Sequence, residues 1–297
     1  VVARIFEEAG LPPGLLHVLP GGATTGAALA EDPDVGMIAF TGSTAVGREV
    51  GAVAGRALKR VSLELGGNNA LVVLEDADLD AASSAGAWGS FLHQGQVCMT
   101  TGRHVVVESV ADEYVERLVR RAKALRVGDP AVEDVALGPL IDAGQLLRVD
   151  RIVRDSVAAG AVVRCGGTYE DLFYQPTVLT GVTGDVPAFR EEIFGPVAPV
   201  VVVADEEEAV AVARDSEHGL VAAVQTGSVE RGLAVARRLG TGIVHVNGQT
   251  VDDNAFVPFG GRGASGNGTR FGASQSWDEF TQWQWVTTRD RATPYPF

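Results

Sequence analysis

Cysteine is scarce in this sequence. Its 297 residues include only Cys98 and Cys165, and no CxxC pair occurs. Two isolated cysteines exclude a disulfide framework of the kind that stabilises small secreted proteins. We therefore expect a reducing compartment, and the predicted location is the cytoplasm.

Basic residues and long apolar runs are also few. Lysine and arginine total 24 against 38 aspartates and glutamates, which gives a formal net charge of -14. Such a surface repels phosphates, so nucleic acid is not an expected partner. No apolar run approaches the roughly 20 residues that cross a bilayer, and no signal peptide is recognisable. We therefore predict no membrane partner.

Small and apolar residues are abundant. Hydrophobic residues make up 46% of the chain, which also has 37 glycines. Apolar segments alternate with amphipathic ones, a pattern that predicts a parallel sheet with helices on both faces. Residues 281–289 alternate like an exposed strand that needs a partner edge. The predicted strands are 15–19, 35–40, 59–65, 69–74, 104–108, 197–203 and 243–246, and the predicted helices are 1–9, 24–30, 111–125 and 142–159.

The segment FTGSTAVGREV passes directly from a predicted strand into a helix. Free N–H groups at the start of that helix, beside Gly42, Ser43 and Gly47, are suited to hold a phosphate. Arg48 and Glu49 replace the Lys-Ser/Thr pair of a P-loop, so this is not a Walker motif. The alternative is an ordinary turn in which Ser43 caps the helix.

LELGG places Glu64 at the end of an apolar strand. A carboxylate there is costly unless it is paired or faces a cleft. Partial burial would raise its pKa, which suits a general base. The alternative is a carboxylate held in a salt bridge.

Cys98 follows Gly95 in the segment FLHQGQVCMTTGRH. A cysteine near a helix start gains thiolate character, so a nucleophile is one interpretation. His93 and His104 with a single cysteine fit no zinc pattern, and no metal is predicted. A Cys-His hydrolase, with His93, His104, His218 or His245 as its base, and a plain buried thiol remain open alternatives.

Two loops complete the set of candidates. EEIFGPV contains Glu192 and Phe194, although tandem acids usually form a solvated face. VPFGGRGASGNG is rich in glycine and contains Phe259, which could line a pocket or belong to a small satellite core.

In this order the motifs resemble the aldehyde dehydrogenase superfamily over essentially the whole chain. EAGLPPG, FTGST-x-VG, LELGG, GQ-x-C, EEIFGPV and PFGG-x-x-x-SG occur at that family's spacing. The Cys98 segment and the WQWV tail are most similar to its benzaldehyde and vanillin dehydrogenase branch. The resemblance implies an α/β fold: an incomplete Rossmann-like coenzyme domain, an α/β catalytic domain and a C-terminal oligomerisation strand. The implied boundaries are 1–66, 67–262, and 263–297 for the return segment with that strand.

The resemblance also implies catalytic roles. Cys98 matches the nucleophile, whose thiolate adds to an aldehyde carbon and later carries the acyl group as a thioester. Glu64 matches the base that activates water to hydrolyse this thioester. The Cys98 backbone N–H would hold part of the oxyanion. Phe259 matches a position in the substrate funnel, and the implied substrate is a small aldehyde, aromatic in the similar branch.

The implied cofactor is NAD or NADP. Ser43 matches the pyrophosphate contact, Glu192 the residue that binds the nicotinamide ribose, and Phe194 a neighbour of the nicotinamide. The predicted cofactor-binding residues are Gly42, Ser43, Gly47, Leu65, Glu192 and Phe194. The resemblance further implies a homodimer or homotetramer in which 281–289 pairs with another subunit.

The chain departs from the family in length. It begins at Val1 without a methionine, and the family's first coenzyme strands and a second oxyanion donor have no counterpart. We interpret this as N-terminal truncation. One alternative function is therefore an impaired remnant that acts only through subunit association. Another is a thiol hydrolase or acyltransferase that cleaves esters without nucleotide.

Overall fold

The computed structural model describes all 297 residues. Its helices are α1 (Val2–Glu8), α2 (Ala23–Glu31), α3 (Thr44–Arg56), α4 (Leu79–Phe91), α5 (Glu108–Ala124), α6 (Ala143–Ala158), α7 (Pro187–Arg190), α8 (Glu206–Arg214), α9 (Val229–Ala236) and α10 (Gln275–Phe280). Its strands are β1 (Met37–Thr41), β2 (Arg60–Glu64), β3 (Asn69–Val73), β4 (Thr101–Val107), β5 (Val162–Cys165), β6 (Tyr169–Glu170), β7 (Phe173–Tyr174), β8 (Thr177–Thr180), β9 (Val197–Val203), β10 (His218–Gly219), β11 (Val221–Gln225), β12 (Ile243–Val246) and β13 (Arg262–Gly263).

The main sheet has seven strands in the order β12-β11-β3-β4-β9-β8-β5. Neighbours run parallel except β5, which is antiparallel to β8. Successive residues of β3 face opposite sides. Ala70 and Val72 join a core cluster with α6, α8 and α9, whereas Leu71 and Val73 join another with α4 and α5. Burial on both faces explains the continuous apolar strands, and the predicted α/β architecture is confirmed.

Strands β1 and β2 form a separate parallel pair, in which Thr41 lies opposite Glu64. After β2 the chain passes through Gly66 and Gly67 into β3 of the main sheet. The C-terminal return segment fixes this crossing: the Leu65 N–H donates to the Ser265 carbonyl at 3.0 Å, and Ser265 Oγ donates to the Gly66 carbonyl at 2.7 Å. The end of β2 is thereby held between the two sheets.

The predicted strand at 15–19 is wrong. These residues form no ladder, and the side chains of Leu15, Val18 and Leu19 are exposed. Pro13 and Pro20 flank the segment, and no neighbouring strand offers hydrogen bonds, so the apolar residues alone do not produce a strand.

The tail 281–289 forms no strand within this chain. The side chains of Trp283 and Trp285 are 96% and 91% exposed. Pairing of this segment with another subunit stays a prediction.

A buried polar network joins α4, β4 and α5. His104 Nδ1 lies 2.7 Å from Tyr114 Oη, and His104 Nε2 lies 2.7 Å from Ser90 Oγ. Ser90 Oγ donates to the Thr101 carbonyl. Because Ser90 uses its proton on that carbonyl, His104 Nε2 donates to Ser90 and Nδ1 accepts from Tyr114. Full burial lowers the pKa of His104 to about 3, so the ring is neutral.

We expect Tyr114→Phe to lower the free energy of unfolding by about 1–3 kcal/mol, because it leaves His104 Nδ1 buried without a donor. Tyr174→Phe is the matched control: Tyr174 is 1% exposed, and its hydroxyl has no partner to lose. Urea unfolding of the two variants measures the difference. Equal losses of stability would contradict this account of the network.

Candidate active site

A cleft of about 670 Å³ opens where the carboxyl ends of β1 and β2 face the loops that precede β4 and β9. Six of the nine residues predicted for the site meet there, whereas Glu64, Gly47 and Phe259 do not line the cleft. Its lining comprises Thr41, Gly42, Ser43, Leu65, Gly66, Gln96, Val97, Cys98, Gln145, Arg148, Glu192 and Phe194.

The first wall is the start of α3. Ser43 is the N-cap residue, and its Oγ accepts the Val46 N–H at 3.4 Å. The helix start therefore faces the cleft with donors that suit an anion. Gly47 does not line the cleft; a Cβ there would lie 2.3 Å from Leu65 Cδ2, so Gly47 lets Leu65 pack against α3. A direct cofactor contact by Gly47 stays a prediction.

Glu64 ends β2 with its side chain buried, and neither carboxylate oxygen has a hydrogen-bond partner. Burial raises its pKa to about 7, although the charge of Arg270 and the backbone of Gly261 lower it in part. The salt-bridge alternative is therefore wrong. The predicted rise in pKa agrees with the structure, and the carboxyl can bind and release a proton near neutral pH.

Cys98 lies in the loop between α4 and β4, with its side chain partly buried at the cleft. Burial raises the pKa of the thiol to about 11, and the nearby carboxylates of Glu192 and Glu64 also raise it. The expectation of thiolate character from a helix start is wrong, because Cys98 follows a helix instead of beginning one. The thiol is protonated in this state.

The histidines near Cys98 in sequence make contacts that do not involve its sulfur. His104 belongs to the buried network with Tyr114, and His93 lies in a turn. Neither hydrogen-bonds to the Cys98 sulfur, and no group of three or more His, Cys, Asp or Glu side chains is arranged to hold a metal ion. His218 Nδ1 and His245 Nε2 are buried without a hydrogen-bond partner, so neither of these histidines activates the sulfur through that atom, and the geometry gives the Cys-His alternative no support.

A left-handed turn sets the course of the Cys98 loop. His93, Gln94 and Gly95 have φ angles of 54°, 59° and 67°. Gly95 is required here because its φ is positive and because a Cβ would lie 2.1 Å from the Gly195 carbonyl oxygen. The Cys98 loop thus packs backbone against backbone on the loop that carries Glu192.

Glu192 is held at the opposite wall of the cleft. Its Oε1 accepts the Gly67 N–H at 2.9 Å, and burial raises its pKa. The neighbouring Glu191 pairs with Arg151 at the surface at 2.8 Å. The solvated-face interpretation therefore fits Glu191 and is wrong for Glu192.

Helix α6 supplies two side chains that the sequence interpretation missed. Arg148 donates to the carbonyls of Glu192 and Ile193 at 2.5 and 2.9 Å, and Gln145 donates to the Phe194 carbonyl at 2.8 Å. These bonds hold Phe194 at a φ of 54°, a conformation that is costly for a residue with a side chain. The only local signal was two polar residues three apart on one face of the helix.

Phe259 lies on the apolar side of Cys98. Both pack against the small cluster formed by Met99, Leu220 and Val221. The Phe259 ring also contacts that of Phe271, with centroids 5.6 Å apart. The structure therefore fits the satellite-core interpretation and places Phe259 near Cys98, whereas its contact with a substrate stays a prediction.

The chain is similar to known proteins along its length. Residues 1–286 match the model of the aldehyde dehydrogenase family. The chain is 58% identical to a vanillin dehydrogenase of an Amycolatopsis species and 52% identical to a benzaldehyde dehydrogenase (NAD+) of Pseudomonas putida. Each comparison covers 100% of this chain and 61% of the relative. The chain thus spans about three fifths of the length of these relatives.

Two solved structures are similar as well. A salicylaldehyde dehydrogenase from Pseudomonas putida, complexed with salicylaldehyde, superposes with a TM-score of 0.94 at 39% identity and covers 100% of this chain and 62% of that one. An aldehyde dehydrogenase from Mycobacterium tuberculosis, complexed with NAD+, gives a TM-score of 0.91 at 38% identity, over 95% of this chain and 59% of that one. In this chain, no helix combines the length and hydrophobicity needed to cross a bilayer.

Proposed function

Because the chain belongs to the aldehyde dehydrogenase family, we propose that the protein containing it oxidises an aldehyde to the carboxylic acid with NAD or NADP as acceptor. The observation that carries this proposal is Cys98 at an open cleft beside Glu64, a buried carboxyl without a partner. An aromatic aldehyde is the favoured substrate class, since the similar proteins are named for vanillin, benzaldehyde and salicylaldehyde.

Cys98 is the proposed nucleophile. Its sulfur attacks the aldehyde carbon, the S–C bond forms, and the carbonyl oxygen becomes an oxyanion that the Cys98 backbone N–H can stabilise. With a pKa of about 11 the thiol must give up its proton on attack, and the carboxylates of Glu192 and Glu64 are the nearby groups that can accept it. After oxidation the acyl group remains on Cys98 as a thioester.

Glu64 is the proposed general base for the second half of the reaction. Its carboxylate takes a proton from water, the hydroxide adds to the thioester carbon, and the carboxylic acid leaves as the Cys98 thiolate is released. A pKa of about 7 places half of this carboxyl in the basic form at neutral pH. That value is suited to taking up and returning a proton in each turnover.

The cleft has features that fit a dinucleotide. The start of α3 at Ser43 provides N–H donors for the pyrophosphate, and a Cβ on Gly42 would lie 2.4 Å from the Phe40 ring, so the turn before the helix must be tight. Glu192 offers a carboxylate oxygen for ribose hydroxyls, with Leu65 and Phe194 as apolar walls. A nicotinamide held by these residues would supply the hydride acceptor that the oxidation requires.

The test is aldehyde-dependent formation of reduced nucleotide. The complete protein that carries this chain is incubated with benzaldehyde and NAD+ or NADP+, and an aliphatic aldehyde of similar size serves as comparison. Ester cleavage that proceeds at full rate without nucleotide, and no aldehyde oxidation, would instead favour a thiol hydrolase. Absence of both nucleotide binding and turnover would favour a remnant that acts through association.

We expect Glu192→Gln to raise the KM for the nucleotide by roughly 10-fold, because a hydrogen bond from a ribose hydroxyl loses its charged acceptor. Glutamine keeps the shape of the side chain and an oxygen for the Gly67 N–H. Glu191→Gln is the control, since Glu191 pairs with Arg151 at the surface. Steady-state titration with nucleotide measures both, and an equal change in the two variants would contradict the assignment.

The larger organisation is also part of the proposal. We assign 1–66 to the coenzyme domain, 67–262 to the catalytic domain and 263–297 to the return segment with an oligomerisation strand. The exposed Trp283 and Trp285 support association of 281–289 with another subunit in a homodimer or homotetramer. The proposed location is the cytoplasm.

A further inference from the structure

Asn69 is a buried side chain that ties the Cys98 loop to the main sheet. It begins β3 and is 3% exposed. Its Nδ2 donates to the carbonyl oxygens of Cys98 and Thr100, each at 2.8 Å, and its Oδ1 accepts the Val221 N–H at 3.2 Å. An amide nitrogen has two protons, so both donors are used. Backbone groups of the Cys98 loop and of β11 thus converge on one side chain.

We propose that Asn69 is a positioning residue that fixes the Cys98–Met99 peptide and thereby directs the Met99 N–H toward the Cys98 sulfur. In a planar trans peptide the C=O and the N–H point in opposite directions. Because Asn69 holds the Cys98 carbonyl on the β3 side, the Met99 N–H faces away from β3. This inference rests on the proposed role of Cys98 as the nucleophile.

The charges around Cys98 show why that N–H matters. Burial, together with Glu192 and Glu64, raises the pKa of the thiol to about 11, whereas the backbone N–H groups of Cys98 and Met99 lower it. Arg148 also lines the cleft, but its guanidinium is engaged with the carbonyls of Glu192 and Ile193. The two backbone N–H groups therefore lower the pKa of the thiol against the effect of the carboxylates, and Asn69 fixes the direction of the Met99 N–H.

The rest of the loop has its own support. The Thr100 N–H donates to the Val97 carbonyl at 2.9 Å, and Thr100 Oγ1 donates to the Gly95 carbonyl at 3.0 Å. Gly67 leaves room for the amide, since a Cβ there would lie 2.7 Å from both the Cys98 carbonyl oxygen and Asn69 Oδ1. Loss of the Asn69 amide should therefore free the Cys98–Met99 peptide to rotate without unfolding the loop.

The experiment measures the rate at which iodoacetamide alkylates Cys98 as a function of pH. The thiolate is the reacting form, so the rate reports the pKa of the thiol. Mass spectrometry separates Cys98 from Cys165, which serves as an internal reference. We expect Asn69→Ala and Asn69→Leu to slow alkylation of Cys98 by about 10-fold at a fixed pH near 8, which corresponds to a pKa one unit higher.

Asn68→Ala is the matched control. Asn68 is equally buried at 3% exposure, and its Nδ2 donates to the Phe189 carbonyl at 2.7 Å instead of to the Cys98 loop. We expect its alkylation profile to match that of the unchanged chain. Alkylation of Cys165 should stay constant in every variant.

Several outcomes would overturn the proposal. The proposal is wrong if the pH profiles of Cys98 alkylation in Asn69→Ala and Asn69→Leu coincide with that of the parent. It is also wrong if Asn68→Ala shifts this profile as much as the Asn69 variants do. If both Asn69 variants unfold, seen as faster alkylation of both cysteines, the role is structural and the inference is wrong. The assay needs neither nucleotide nor aldehyde. Failure of the proposed function would instead appear as aldehyde oxidation that survives Cys98→Ala.

Discussion

Replacing Cys98 with alanine is expected to reduce aldehyde-dependent formation of reduced nucleotide by about 10⁴-fold or more, because removal of a covalent nucleophile abolishes the step on which the others depend. Cys98 is the cysteine that lines the cleft, next to the carboxylates of Glu64 and Glu192. The measurement is the steady-state rate with benzaldehyde and NAD+ in the complete protein.

Cys165→Ala supplies the control for this prediction. Cys165 ends the edge strand β5, its sulfur lies 3.8 Å from the Pro176 carbonyl, and it does not line the cleft. We expect its rate to equal the parent's. Mass spectrometry after brief mixing with aldehyde and nucleotide should find the acyl group on the peptide that contains Cys98. Parent activity in Cys98→Ala would remove the nucleophile assignment.

Replacing Glu64 with glutamine is expected to separate the two halves of the reaction. Loss of a general base lowers turnover by about 10²–10⁴-fold. Because hydrolysis is the step assigned to this base, a first equivalent of reduced nucleotide still forms and the thioester accumulates on Cys98. Glutamine fits the site because Glu64 has no hydrogen-bond partner to lose. Rapid mixing measures the burst, and a full steady-state rate without acyl adduct would contradict the role.

The pKa of Glu64 also leads to an expected pH dependence of the steady-state rate of the parent protein. This pKa is raised to about 7, so the carboxyl is mostly protonated below that pH and cannot accept a proton. The steady-state rate should therefore rise as pH increases through about 7, and Glu64→Gln should lack this limb. Glu217→Gln is a suitable control, because Glu217 pairs with Arg48 at the exposed surface. If the rate of Glu64→Gln still fell below about pH 7 as the parent's does, the assignment of Glu64 as the general base would be contradicted.

The sequence was sufficient to predict four of the seven strands of the central sheet, β3, β4, β9 and β12, because buried strands produce continuous apolar runs. Strands β5, β8 and β11 of the same sheet were not predicted. It also predicted that Glu64 has a raised pKa, since a carboxyl in an apolar strand must be desolvated or paired. Short strands such as β6 and β7 were not predicted, because two residues carry no periodicity. The strand predicted at 15–19 was wrong for a different reason: the segment is apolar, but no neighbouring strand pairs with it.

The electrostatics of Cys98 could not be predicted from the chain around it. The residues nearby suggested a helix start, but the turn through Gly95 is left-handed and the helix precedes the cysteine. The carboxylates that raise its pKa come from residues 34 and 94 positions away in sequence. Arg148 and Asn69 act on backbone carbonyls of other loops, and such contacts leave no signature in a single sequence.

The meeting of Gly95 with Gly195 has a mechanical meaning. With no side chain between them, the two loops form one stiff unit, and neither can be pushed aside while the other stays in place. A bulky acyl group that strains the Cys98 loop would therefore also move Glu192 on its neighbour. Displacement of either loop is thus transmitted to the other through this contact between two glycines.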